Sequence, residues 1–209
     1  VAAAVMGFTA GAGQGCVCGT RVLIHRDVYD EVANGIAAAA GAMKVGGPFD
    51  SATQVTPIIS QEQLDKIAGY IALGQQEGGC LAAGGQSSSD AGFYVEPTVF
   101  TDVRNDMRVM QEEIFGPVGG LIPFGDADEA IALANDVAYG LSASVWTGNL
   151  AIAQRVTDEA KAGIVWVNTL FEMDVMAPFG GYKASGIGRE LGPDSIDAFT
   201  QTKTVVMRS

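Results

Sequence analysis

Short apolar, β-branched runs alternate along this chain with alanine-rich stretches of helical spacing, and that alternation limits its fold more than any other feature. It predicts an α/β fold: an open, mostly parallel sheet flanked by helices. Residues 22–25 (Val-Leu-Ile-His) read as a buried strand, and residues 27–43 follow as a helix with Val28, Val32 and Ile36 at four-residue steps. A loop at 44–57 holds Gly46-Gly47-Pro48. Ser60-Gln61-Glu62-Gln63 reads as a capping box, the Ser60 hydroxyl accepting from the Gln63 backbone N–H while the Gln63 side chain reaches back. It opens a helix to about Gln76. Strands are expected at 80–83 and, after a polar turn at 86–92, at 94–100. A helix at 128–135, a strand at 142–146, a helix at 150–162 and its partner strand at 163–167, closing at Asn168, complete the pattern.

No internal repeat or low-complexity linker divides the chain, so residues 1–200 read as one domain. Residues 201–209 differ, being β-branched with no helix after them. A strand with unpaired backbone is an edge that seeks another chain, so this tail reads as an oligomerisation strand and the protein as a homo-oligomer. The chain opens on Val1-Ala2-Ala3-Ala4 without an initiator Met or a basic segment, which reads as a sequence cut in mid-protein and not as a signal peptide.

Composition removes several function classes. A net charge of −12 argues against nucleic acid or an anionic membrane surface, since both require Lys and Arg to displace counterions. No apolar run is long enough for a transmembrane helix. Three cysteines, an odd number without scaffold spacing, fit a reducing cytoplasm. The single histidine, His25, ends an apolar run and reads as a strand-end residue. Cys16-x-Cys18 lacks the spacing of zinc or thioredoxin-like pairs, so no metal site is expected.

Chemistry concentrates in three segments. In Gly13-Gln14-Gly15-Cys16-Val17-Cys18-Gly19-Thr20-Arg21 a thiol stands among residues with little side chain, open to a small electrophile. In Gln111-Glu112-Glu113-Ile114-Phe115-Gly116-Pro117, an extended backbone would put Glu113 and Phe115 on one face. The third runs from Pro178-Phe179-Gly180-Gly181-Tyr182-Lys183 to Gly188-Arg189-Glu190. With Asn135-Asp136-Val137-Ala138-Tyr139-Gly140 and Trp166-Val167-Asn168 between them, these segments in this order resemble the C-terminal half of the aldehyde dehydrogenase superfamily over essentially the whole chain.

That resemblance implies an enzyme that oxidises a small-molecule aldehyde to a carboxylic acid with NAD or NADP, through a thiohemiacetal and a thioester on Cys16. It implies that Glu113 accepts the nicotinamide ribose hydroxyls, that Phe115 packs on the nicotinamide, and that Phe179 and Met173 line the aldehyde tunnel. Cys18, Cys80 and Glu112 read as structural, and Asn168 as a support for the cysteine loop. Gly11 departs from the Asn that many relatives carry in this run, without touching the thiol. No Gly-x-Gly-x-x-Gly fingerprint occurs, so the cofactor would be held mainly by a nucleotide-binding domain outside this chain. Two alternatives stand beside this reading: a truncated, non-catalytic interaction module using its bare tail, or a residual thiol esterase needing only Cys16 and an oxyanion donor.

Overall fold

The computed structural model describes residues 1–88 and 92–209. In chain order, α1 (Ala2–Thr9) leads through the cysteine loop into β1 (Arg21–His25) and α2 (Tyr29–Gly41). A long α3 (Gln61–Gln76) precedes β2 (Cys80–Ala83), β3 (Ser87–Ser88), β4 (Tyr94–Val95) and β5 (Thr98–Thr101). Then come α4 (Arg108–Gln111), β6 (Val118–Phe124), α5 (Ala127–Asn135), β7 (Tyr139–Gly140), β8 (Ser142–Val145), α6 (Leu150–Glu159), β9 (Ile164–Val167) and β10 (Tyr182–Lys183).

The main sheet has the order β1-β6-β5-β2. β1 and β5 both pair with β6 in parallel, and β2 adds an antiparallel edge on β5. The expected α/β class with a mostly parallel sheet is what forms. Neighbouring residues of the inner strands serve opposite faces, as a pleated strand requires. Val99 and Leu121 pack with Phe8 of α1 and Ile36 of α2. Phe100 and Ile122 pack with Ile67 and Ile71 of α3 and Met110 of α4. Burial of both faces explains why Val99 and Phe100 of β5, and Leu121 and Ile122 of β6, are consecutive apolar residues.

The central strand β6 carries no clear strand signal in the sequence. Val-Gly-Gly-Leu-Ile-Pro-Phe holds two glycines and a proline, which lower strand propensity. Both glycines have a packing reason: a Cβ at Gly119 would stand 2.8 Å from the Phe8 ring, and one at Gly120 would meet the Met110 thioether. α1, whose Phe8 is fully buried, is a further element beyond those expected. The strand expected at 94–100 breaks into β4 and β5 at Glu96-Pro97, because Pro97 has no N–H for the ladder. The polar turn expected at 86–92 contains β3, paired with β4, and residues 89–91 lie outside the described residues.

Other differences are local. The expected 27–43 helix starts with a 3-10 turn at Arg26–Val28 that leaves Val28 exposed, and Ala33, Ile36 and Ala40 form the buried stripe instead. β8 and β9 do pair in parallel across α6, but as a two-stranded sheet of their own. β7 and β10 form a third, antiparallel pair. Residues 201–209 form no strand within the single chain and are exposed.

Candidate functional site

The cysteine loop is fixed by backbone geometry. Gly11, Ala12 and Gly13 are consecutive left-handed residues (φ 58°, 57° and 69°), and the Gln14 N–H closes the turn on the Gly11 carbonyl at 3.1 Å. Gly13 packs backbone to backbone on Gly116, so closely that a Cβ there would collide with the Gly116 carbonyl. That contact locks the cysteine motif to the glutamate motif. Beyond it, Cys16 and Val17 occupy the corners of a turn closed by the Cys18 N–H donating to the Gly15 carbonyl (3.0 Å). Ser142 of β8 donates to the Val17 carbonyl (3.2 Å), and the Gly19 N–H donates to the Gly7 carbonyl (2.9 Å).

Cys16 is therefore presented at a turn and is exposed. Among the described residues neither its thiol nor its backbone N–H has a hydrogen-bond partner. Cys18 is half-buried, its thiol 3.7 Å from the Ala10 carbonyl. Burial pushes that thiol above the ordinary cysteine range and the nearby Cys16 adds to the effect, against a lowering by the Gly15 backbone hydrogen bond.

The glutamate segment leaves α4 and splits its two carboxylates. Glu112 accepts from the Arg108 guanidinium at 2.7 and 3.0 Å and from the Tyr70 hydroxyl at 2.7 Å. Those bonds hold the Glu112 carboxyl down at about 2, Arg108 contributing most. Tyr70 is pushed up to about 12, by burial first and then by the carboxylate it serves. Glu113 is exposed and makes no side-chain hydrogen bond or ion pair among the described residues. The segment is gripped from α3. The Ser60 hydroxyl caps the Gln63 N–H as expected (3.2 Å), but the Gln63 side chain does not reach back to the cap. Its amide donates to the Ile114 and Phe115 carbonyls, both at 2.9 Å, which satisfies two main-chain acceptors of the glutamate segment.

Cys16 and Glu113 line one cleft of about 390 Å³, together with Glu112, Arg21, Tyr139 and Ser142. Arg21 is bound to Asn105 Oδ1 (2.8 Å) and to the Leu133 and Ala134 carbonyls (2.7 and 2.9 Å), where its charge meets the negative end of α5. Burial lowers its pKa, opposed by Asp136. Asn105 and Gln111 both donate to the Asp136 carbonyl, extending this support beneath the cleft. Arg21, Asn105, Gln63 and Ser142 brace the cleft by hydrogen bonds, a role the sequence does not single out. Only Arg21 has a usable signal, as a charge placed at the mouth of an apolar run.

The remaining expected site residues stand elsewhere. Phe115 adopts φ 59°, so the backbone is not extended through it; it is half-buried and does not line the cleft that Glu113 faces. Phe179 is half-buried and held by two main-chain hydrogen bonds to Glu190 (2.7 Å each), and Met173 is half exposed; neither lines the cleft. The Asn168 amide pairs with the Thr147 backbone (2.9 Å in both directions), so it supports the turn before α6 and not the cysteine loop. Among the described residues no cluster of side chains could hold a metal ion, and no helix is long and apolar enough to cross a membrane.

A parallel α/β sheet that presents an unpaired thiol and an unpaired carboxylate to one cleft is the arrangement this chain builds. The sequence pattern of the aldehyde dehydrogenase family matches residues 1–205, and the chain belongs to that family. An aldehyde dehydrogenase of Enchytraeus buchholzi is 46% identical over 200 residues, covering 96% of this chain and 40% of that protein. Betaine aldehyde dehydrogenase of Brucella anthropi is 42% identical over 209 residues, covering 98% of this chain and 43% of its own length. The NAD+ complex of Bacillus cereus aldehyde dehydrogenase superposes with a TM-score of 0.95 at 42% identity, covering 98% of this chain and 42% of that one. The chain thus spans about two fifths of the length of these relatives.

Proposed function

We propose that this chain is the thiol-bearing catalytic portion of an NAD(P)-dependent aldehyde dehydrogenase, with Cys16 as the nucleophile. The observation that carries this reading is the shared cleft: an unpaired thiol and an unpaired carboxylate, from motifs far apart in sequence, face the same space. The Cys16 thiolate adds to the aldehyde carbon, and the charge that develops on oxygen is met by the free Cys16 N–H. One such donor is worth about 10²–10³ in rate. Residues 1–200 form the catalytic domain and residues 201–209 an oligomerisation strand of a cytoplasmic homo-oligomer.

The residues fit the ribose end of the cofactor only. Glu113 offers a free carboxylate for ribose hydroxyls, while Phe115 stands outside that cleft and no glycine-rich diphosphate loop occurs in the 209 residues. When bound, NAD or NADP supplies the hydride acceptor. The other dinucleotide contacts and the base that activates water for thioester hydrolysis come from a region outside this chain. Phe179 and Met173 contribute to the aldehyde entrance in the full assembly.

In the longer protein that carries this chain, Cys16→Ala should abolish aldehyde-dependent NADH formation, a loss of about a thousandfold or more. Glu113→Gln should raise KM for NAD more than it lowers thermal stability. Aldehyde oxidation that survives Cys16→Ala would overturn the proposal.

A further inference from the structure

The Cys16-Val17-Cys18 pair lies on a turn, and this has a chemical consequence independent of aldehyde turnover. In an extended strand, residues two apart have Cα atoms about 7 Å apart, at the limit for a disulfide. Where two 3.8 Å steps meet at the bend of a turn the separation falls to about 5.5 Å, within the range that a disulfide spans. The hydrogen bond from Cys18 N–H to the Gly15 carbonyl (3.0 Å) enforces that bend. Ser142 and Gly7 hold the backbone on either side of Cys18, at the Val17 carbonyl and the Gly19 N–H. No side chain at Gly15 covers Cys18: its Sγ lies over that glycine, 3.3 Å from where a Cβ would stand. Both cysteines line the same cleft, which small oxidants can enter from solvent.

We propose that Cys18 is a resolving thiol that captures an oxidised Cys16 and converts it to a reversible Cys16–Cys18 disulfide. The exposed Cys16 thiolate attacks hydrogen peroxide; an S–O bond forms, the O–O bond breaks, and the departing hydroxide takes a proton to leave as water. Sulfur is oxidised by two electrons and peroxide reduced by two. The Cys18 thiol then gives up its proton and attacks the Cys16 sulfur; the S–S bond forms, the S–O bond breaks, and a second water leaves. Cys16 is exposed whereas Cys18 is half-buried with its thiol pKa raised by burial, so the first attack falls to Cys16 and the second to Cys18. The disulfide silences the thiol without committing it to sulfinic acid, and a thiol reductant restores it.

The experiment uses the intact 209-residue chain, with hydrogen peroxide at a few equivalents, followed by non-reducing peptide mapping. Iodoacetamide labelling beforehand establishes whether Cys16 is reactive at all, which separates failure of this inference from failure of Cys16 as nucleophile. The expected product is one peptide holding both cysteines, lighter by two hydrogens and restored by dithiothreitol, with Cys80 left free. In Cys18→Ser, and in Cys18→Ala as a second variant, dimedone trapping of sulfenic acid at Cys16 should rise about tenfold, because no neighbour resolves it. A parent chain that goes directly to Cys16 sulfinic acid, or that links Cys16 to Cys80, would overturn the proposal without reference to any variant.

Discussion

Substituting alanine at Gly13 tests whether the two motifs are locked by the backbone contact described above. Two costs combine there. Gly13 sits at φ 69°, where an L side chain costs about 1–2 kcal/mol. The added Cβ also collides with the Gly116 carbonyl, and because both groups are main chain, neither can rotate aside. Displacing packed backbone adds about 1–3 kcal/mol. Gly13→Ala should therefore destabilise by about 2–5 kcal/mol in all. Gly11 provides the control, since it shares the left-handed conformation (φ 58°) but a Cβ placed on it would meet nothing within 4 Å. Gly11→Ala should cost only the conformational part, about 1–2 kcal/mol, and Gly11→Asn less, because asparagine visits this region readily. Urea unfolding of the three variants reads the difference. With a slope of about 2 kcal/mol per molar, Gly13→Ala should lower the midpoint by about 1–2.5 M and Gly11→Ala by less than about 1 M. Equal shifts for the two alanine variants would refute the lock.

Limiting iodoacetamide should label Cys16 ahead of both other cysteines. Cys80 is equally exposed, but the Asp102 carboxylate beside it raises its pKa and thins its thiolate, and burial does the same at Cys18; preferential labelling of Cys80 would reverse the assignment. The Glu112 carboxyl is depressed to about 2, so its bonds to Arg108 and Tyr70 stabilise the fold above the ordinary glutamate range and are lost as pH falls through about 2. Arg108→Ala should raise the acid-unfolding midpoint followed by circular dichroism, and an unchanged midpoint would show the pair to be without effect. The isolated chain should not produce NADH from aldehydes, since an unheld cofactor loses its effective-molarity advantage; turnover that disappears with Cys16→Ala would contradict this. Light scattering should give a dimer or larger species, because Val205, Val206 and Met207 stand 69–90% exposed on a backbone without hydrogen-bond partners among the described residues. A monomeric mass unchanged by deleting residues 201–209 would exclude the tail as an interface.

The parts of this fold legible in sequence are those where local chemistry and tertiary demand agree. Helices α3, α5 and α6 carry a polar cap and periodic apolar residues, and each begins within a residue of its expected start. β6 is illegible because its two glycines answer to the Phe8 ring of α1 and the Met110 thioether of α4, packing partners that no local pattern in the strand announces. The site divides in the same way. Cys16 and Glu113 stand out by residue type, whereas the groups that hold them, Gln63 and Ser142, are ordinary polar residues whose partners are main-chain carbonyls. Nothing in a glutamine marks it as a clamp until the fold brings Ile114 and Phe115 to its amide.

The adjacent carboxylates Glu112 and Glu113 show how that support creates a reactive surface. Two neighbouring glutamates would compete for Arg108 were both free to turn toward it. Arg108 opens α4 four residues before Glu112, which caps that helix, and Tyr70 approaches Glu112 from α3, so Glu112 takes both donors. Gln63 then pins the carbonyls of Ile114 and Phe115, which fixes the backbone just after Glu113 and prevents the segment from rolling to share those donors. Glu113 is left without a partner by its neighbour's geometry and not by its own. An unpaired carboxylate costs little while it stays in water. It therefore keeps its hydrogen-bonding capacity for whatever enters the cleft beside Cys16.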